Sequence, residues 1–144
     1  MAHAAIETMY RQVIMDHYKH PRNKGFVDSP DYKKFHIKNP SCGDDITVQV
    51  RIQDGVLTDI RHEGTGCSIC CSSASVMSTE LKNDTVEVAK DKIELFFEMI
   101  KGNDVELGDT LGDAIVYEGV AKYPQRLKCA TAAWQALQEV IANG

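Results

Sequence analysis

Residues 46–60, "ITVQVRIQDGVLTDI", decide how this chain folds. Ile46, Val48, Val50 and Ile52 alternate with Thr47, Gln49, Arg51 and Gln53. That period of two turns one side of a strand to the core and the other to water. Asp54-Gly55 then marks a hairpin, for which two registers compete. A two-residue loop pairs Ile52 with Leu57 and sets Val48 beside Arg61, bringing charge onto the apolar face. A three-residue loop over 53–55, with Gly55 left-handed, pairs Ile52 with Val56, Val50 with Thr58 and Val48 with Ile60. The second keeps the face apolar and is the expected register. An extended piece over residues 32–38 supplies a third strand.

Outward from the sheet the period becomes helical. Ile6, Met9, Tyr10, Val13, Ile14 and His17 form one stripe of a first helix, which "KHPRNKG" (19–25) ends at Pro21 and Gly25. After the sheet, Cys70, Ala74, Met77 and Leu81 share a stripe of a helix expected to begin at 67–68 and end near Asn83. Thr85 suits the N-cap of the next, with Ala89, Ile93, Phe96, Phe97 and Ile100 inward and Gly102 past its end. "GNDVELGDTLGD" (102–113) reads as loop, with a short helical piece over 113–118. Pro124 fits the first turn of a last helix, whose inner stripe is Leu127, Ala130, Trp134, Leu137 and Ile141. The expectation is one α+β domain over residues 1–144: an N-terminal helix, a three-stranded antiparallel sheet, then several helices packed on one sheet face.

Composition narrows the function classes. A formal net charge of −5 without a basic stripe argues against a nucleic-acid partner. The most apolar stretch, "IELFFEMI" (93–100), is too short to span a bilayer and carries two glutamates, which argues against a membrane role. No secretory signal is evident, and five cysteines without export features point to a reducing cytoplasm, where thiols bind metal or do chemistry.

Three of the five thiols fall at the ends of elements. Cys42 lies in the turn "NPSCGDDI" (39–46), Cys67 follows "GTG" at a strand-to-helix junction, and Cys129 lies in the early turns of the last helix. Helix N-termini lower a thiol's pKa through their unpaired N–H groups. Zinc takes four ligands and accepts both thiolate and carboxylate, so Asp44, one residue beyond Gly43, is a candidate fourth ligand to Cys42, Cys67 and Cys129. Gly43 has no side chain to obstruct two ligands from one bend. Such a site carries net negative charge, and Arg126 and Lys128 flank Cys129 as cations. An iron–sulfur cluster prefers all-thiolate ligation, so Asp44 tilts the balance modestly towards zinc and leaves a cluster open. "CSIC" (67–70) has the spacing of a redox or metal pair, yet Cys70 sits on an apolar stripe and reads as a small core residue. Cys71 aligns with Ser75 and Ser78 at small-residue positions. Among the histidines, His62 is the one to test as a ligand, although its simpler reading is a strand residue beside a turn.

"MYRQVIMDHYKHPRNKG" (9–25), "NPSCGDDI" (39–46), "GTGCSIC" (64–70) and "GVAKYPQRLKCATAAW" (119–134), in this order, resemble the U-type iron–sulfur cluster assembly proteins, the IscU/NifU N-terminal family. The resemblance covers nearly the whole chain and implies a shared site of Cys42, Asp44, Cys67 and Cys129. Scaffold members of the IscU type carry a histidine before the third cysteine, where this chain has Lys128. The stretch "LGDAIVYEGVAKYPQRLKC" (111–129) is similar to the longer connection of SufU-type members, zinc-dependent acceptors of persulfide sulfur from a pyridoxal-phosphate (PLP) cysteine desulfurase of the SufS type. That likeness implies Zn2+ as cofactor, Cys42 as acceptor thiol once docking frees it from the metal, and Arg126 as an orienting or partner-contacting residue. It also implies delivery to downstream Suf assembly proteins, and a co-substrate of the desulfurase rather than a stand-alone enzyme. The other family role is a scaffold on which a [2Fe–2S] cluster is built. The departure from the family pattern is "CSICC" (67–71), where small residues are expected in place of Cys70 and Cys71.

Overall fold

The computed structural model describes residues 2–39, 43–103 and 110–143. Helix α1 (Ala2–Lys19) leads into strands β1 (Tyr32–Asn39), β2 (Asp44–Gln53) and β3 (Val56–Thr65), then helices α2 (Ser68–Leu81) and α3 (Val86–Ile100). Two 3-10 segments (Gly112–Lys122 and Pro124–Arg126) run into α4 (Leu127–Asn143). The strands form one antiparallel sheet in the order β1-β2-β3. This is the α+β architecture expected from the alternation and the helical stripes. No helix among the described residues is long and apolar enough to cross a membrane.

The core lies where the sheet's apolar face meets α2 and α4. Ile46, Val48 and Val50 of β2 and Leu57 and Ile60 of β3 are buried with Cys70, Ala74, Met77 and Leu81 of α2. Ala130, Trp134, Leu137 and Ile141 of α4 complete it. Trp134 stacks on Phe96 of α3, with ring centroids 3.9 Å apart and 5° between planes, and Tyr117 meets Phe96 edge-on at 6.2 Å. The sheet's opposite face is polar, and a crossing segment caps part of it: the Gln49 amide accepts from Val27 N–H (2.8 Å) and donates to Val27 O (2.7 Å).

The hairpin differs from the expected register. The turn has two residues: Gln53 faces Val56 and Ile52 faces Leu57. Asp54 and Gly55 both take positive φ, 53° and 76°, the mirror-image turn whose twist matches that of the flanking strands. A shift between Arg51 and Ile52 then sets Arg51 opposite Asp59, Val50 opposite Ile60 and Val48 opposite His62. Thr58 is the extra residue of this bulge; its hydroxyl donates to Arg51 O (3.2 Å) and accepts from Arg51 Nε (2.9 Å). The bulge keeps Arg61 off the apolar face while allowing the tighter turn. Alternation alone cannot reveal it, because one extra residue restores the same face.

Helix ends follow their local chemistry. Thr85 Oγ1 accepts from Val88 N–H (3.2 Å) at the start of α3, and Asn83 (φ 72°) and Gly102 (φ 86°) take left-handed backbone after α2 and α3. Thr85→Ala is expected to cost about 1 kcal/mol, read as a lower urea midpoint with an unchanged denaturant slope.

Candidate metal centre

Two helix starts and one strand start meet at a single point. Asp44 opens β2, Cys67 is the residue from which α2 departs, and Cys129 is the third residue of α4. An oxygen of Asp44 and the sulfurs of Cys67 and Cys129 all lie within 4.8 Å of one another. Asp44 and Cys129 are buried and Cys67 is half-buried. Cys42 lies outside the described residues, two positions before Asp44 in the chain.

Glycines make this convergence possible. A Cβ on Gly64 would stand 2.0 Å from Asp45 O, and one on Gly66 would stand 2.5 Å from Asp44 Oδ1, so "GTG" lets the end of β3 press against the start of β2. At Gly43, a φ of 72° itself calls for glycine, and no described residue beyond its chain neighbours lies within 4 Å of where a Cβ would be.

Asp44 is held and yet unsatisfied. Its Oδ1 accepts from Cys67 N–H (3.2 Å), an acceptor at the N-terminal end of α2 where helix N–H groups point outward. Its Oδ2 is buried with no hydrogen-bond partner among the described residues. An orphaned buried carboxylate oxygen costs on the order of 1–3 kcal/mol or more, so its natural complement is a cation. Both thiols also stand at the N-terminal ends of helices, α2 and α4. Two sulfurs and one carboxylate oxygen in this arrangement fit a thiophilic divalent ion such as zinc, bound at about 2.0–2.3 Å.

Buried serines of α2 set the distance between the helices. Ser73 Oγ donates to Ala130 O (2.7 Å), next in chain to Cys129, and accepts from Trp134 Nε1 (2.9 Å). Ser72 Oγ accepts from Tyr117 Oη (2.6 Å). Ser75 Oγ pairs with His17 Nδ1 (2.7 Å) and accepts from Arg22 N–H (2.8 Å). These positioning residues were not anticipated from sequence. The signal was available: four serines in "SSASVMS" (72–78), more than one helix face can expose beside an apolar stripe.

The remaining candidates separate cleanly. Cys70 is fully buried with Ala74, Met77 and Leu81, as its stripe implied. Cys71 is half-buried; its Sγ approaches Gly66 O at 3.7 Å, and burial together with the neighbouring Cys67 pushes its pKa up. None of the four described cysteines is in a disulfide. His62 is not in the donor group. It is buried at the sheet edge, with Nε2 donating to Arg22 O (2.7 Å). Arg126 is exposed at the end of the second 3-10 segment, its backbone N–H donating to Tyr123 O (2.8 Å).

Burial holds the pKa of both His62 and His17 below the ordinary 6.5. For such groups the unfolded chain binds more protons than the folded one just below that value, so stability falls with acidification. The melting temperature of metal-stripped protein is expected to decline as pH drops from about 7.5 to about 5.5. A flat profile would mean that neither ring resists protonation.

A strand-opening carboxylate and two helix-starting thiols, brought together at one end of a three-stranded sheet, define an α+β protein with a candidate thiol-rich metal-binding group. Residues 9–130 match the NifU-like N terminal domain, and the chain belongs to that family. It is 41% identical over 140 residues to the zinc-dependent sulfurtransferase SufU of Bacillus subtilis (strain 168), covering 97% of this chain and 94% of that protein. It is 36% identical over 141 residues to the iron-sulfur cluster assembly scaffold protein IscU of Streptococcus pyogenes serotype M1, covering 98% and 87%. Among solved structures, a putative iron–sulfur cluster assembly scaffold protein for the SUF system from Fervidobacterium islandicum AW-1 superposes with a TM-score of 0.81 at 27% identity. It covers 90% of this chain and 94% of that one.

Proposed function

We propose that this protein serves iron–sulfur cluster assembly as a zinc-dependent acceptor and carrier of persulfide sulfur, with a cysteine desulfurase of the PLP-dependent, SufS type as donor. The observation that carries the reading is the grouping of Asp44, Cys67 and Cys129, with Asp44 Oδ2 buried and without a hydrogen-bond partner among the described residues. Similarity to a zinc-dependent sulfurtransferase supports it. Asp44, Cys67 and Cys129 hold the metal, and Cys42, two residues before Asp44 in the chain, completes the set and is the acceptor. When bound, zinc supplies a fixed positive charge that keeps coordinated thiols deprotonated.

The chain's own part is a thiol–disulfide exchange. The Cys42 thiolate attacks the terminal sulfur of the donor's cysteine persulfide; the new S–S bond forms on Cys42 and the donor cysteine leaves as thiolate. Of the other two sulfurs, Cys129 is buried and Cys67 half-buried. Arg126, exposed just before α4, suits contact with the donor.

The test is desulfurase turnover with and without this protein, zinc-loaded and zinc-stripped. Zinc-loaded protein is expected to stimulate turnover, and Cys42→Ser to abolish the stimulation while the protein still folds. Full stimulation by Cys42→Ser would remove Cys42 from the acceptor role. Similarity to IscU favours a second reading, a scaffold holding a [2Fe–2S] cluster on the same donors. Brown protein carrying iron and sulfide would establish that reading, and colourless protein with one zinc per chain the first. Lys128, at the place where the scaffold type has histidine, favours the acceptor.

A further inference from the structure

One thiol beside the metal centre is left over. Cys71 is not in the donor group, is half-buried rather than sealed in the core, and faces a small pocket of about 60 Å³ shared with Tyr18, Lys24 and His62. It lies one helical turn beyond Cys67, with Cys71 N–H donating to Cys67 O (3.1 Å). Its sulfur leans back towards the helix start, 3.7 Å from the carbonyl of Gly66, whose peptide bond joins Cys67. Residues one turn apart at a helix N-terminus bring their Cα atoms to roughly 6 Å, inside the range a disulfide spans.

We propose that Cys67 and Cys71 form a reversible oxidation site that switches the metal centre off. A peroxide is the oxidant. The Cys67 thiolate attacks the O–O bond, giving a sulfenic acid and hydroxide; the Cys71 thiol then attacks that sulfur, an S–S bond forms, the S–O bond breaks, and water leaves with the thiol proton. Two electrons pass from the two sulfurs to the peroxide. Thiol reductant reverses the step by exchange.

The competing partners are more deeply buried. Cys70 is fully buried on the apolar stripe with Ala74 and Met77, and Cys129 is buried within the donor group itself. Cys67 cannot both bond Cys71 and remain a thiolate beside Asp44 and Cys129, so closing the disulfide removes a ligand. The inference rests on the metal-site reading above only for this last consequence; the thiol pairing stands apart from it.

The experiment treats the full chain, zinc-loaded and zinc-free, with hydrogen peroxide. It follows zinc release with a chromogenic chelator and maps bonds by fragmentation of the tryptic peptide 62–82. Expected is a loss of about 2 Da within that peptide, assigned to Cys67–Cys71 and reversed by dithiothreitol, with zinc released in step. Cys71→Ser is expected to bind zinc as tightly, to lose it under peroxide at a similar rate, and to accumulate sulfinic and sulfonic adducts on Cys67 that dithiothreitol does not reverse. A bond from Cys67 to Cys70, Cys129 or Cys42, or full recovery of zinc binding by peroxide-treated Cys71→Ser on addition of dithiothreitol, would overturn the proposal. Failure of the unoxidised protein to hold zinc would instead count against the metal-site reading, with the mapping in zinc-free protein still deciding the pair.

Discussion

Replacing Asp44 by alanine is expected to weaken zinc binding by about 100-fold, equivalent to about 2.8 kcal/mol. The carboxylate brings the oxygen donor into the group with Cys67 and Cys129, and no other described carboxylate or histidine belongs to that group. The companion effect runs the other way. Without metal, Oδ2 is a buried oxygen with no partner among the described residues, a cost the folded chain carries. Asp44→Asn keeps an acceptor for Cys67 N–H and removes the charged oxygen, so metal-stripped Asp44→Asn should melt no lower than the metal-stripped parent. With zinc the order reverses, because ligand binding to the folded state raises stability with the ratio of free metal to Kd. Chelator competition gives the affinity and calorimetry with and without zinc gives the crossover. Equal zinc affinity in parent and alanine variant would exclude Asp44 as a ligand.

Trp134→Ala should destabilise the fold by about 3–5 kcal/mol, the largest effect expected of any core substitution here. Trp134 is fully buried, stacked on Phe96, and bonded through Nε1 to Ser73 Oγ. Its removal opens a cavity and also loosens the serine that ties α2 to the carbonyl beside Cys129. Trp134→Phe keeps much of the apolar contact and loses the hydrogen bond, so about 1–2 kcal/mol is expected. Urea unfolding of both variants measures the difference. Zinc affinity should fall in the alanine variant more than in the phenylalanine one, because the donor spacing depends on how α2 and α4 pack.

Much of the architecture was legible because it is local. Alternation from Ile46 to Ile52, the stripe through Cys70 and Leu81, Thr85 as a cap and the stripe through Trp134 all report backbone periods that neighbouring residues impose on one another. The long 3-10 segment Gly112–Lys122 was legible only as a shorter helical piece over 113–118, since its weak hydrophobic periodicity is that of neither an α-helix nor a strand. The hairpin register went the other way. Turn chemistry at Asp54-Gly55 pointed to two residues, the apolar pattern pointed to three, and the bulge at Thr58 satisfied both.

By itself the sequence determined which residues could bind metal, and that each stands at the end of an element, because strand and helix boundaries are written in nearby residues. Only the tertiary structure decided that Asp44, Cys67 and Cys129 meet and that His62 stays apart. That outcome depends on contacts such as Trp134 to Ser73, 61 residues apart in the chain. Packing at that separation sets the distance between helix starts, and no local period carries it.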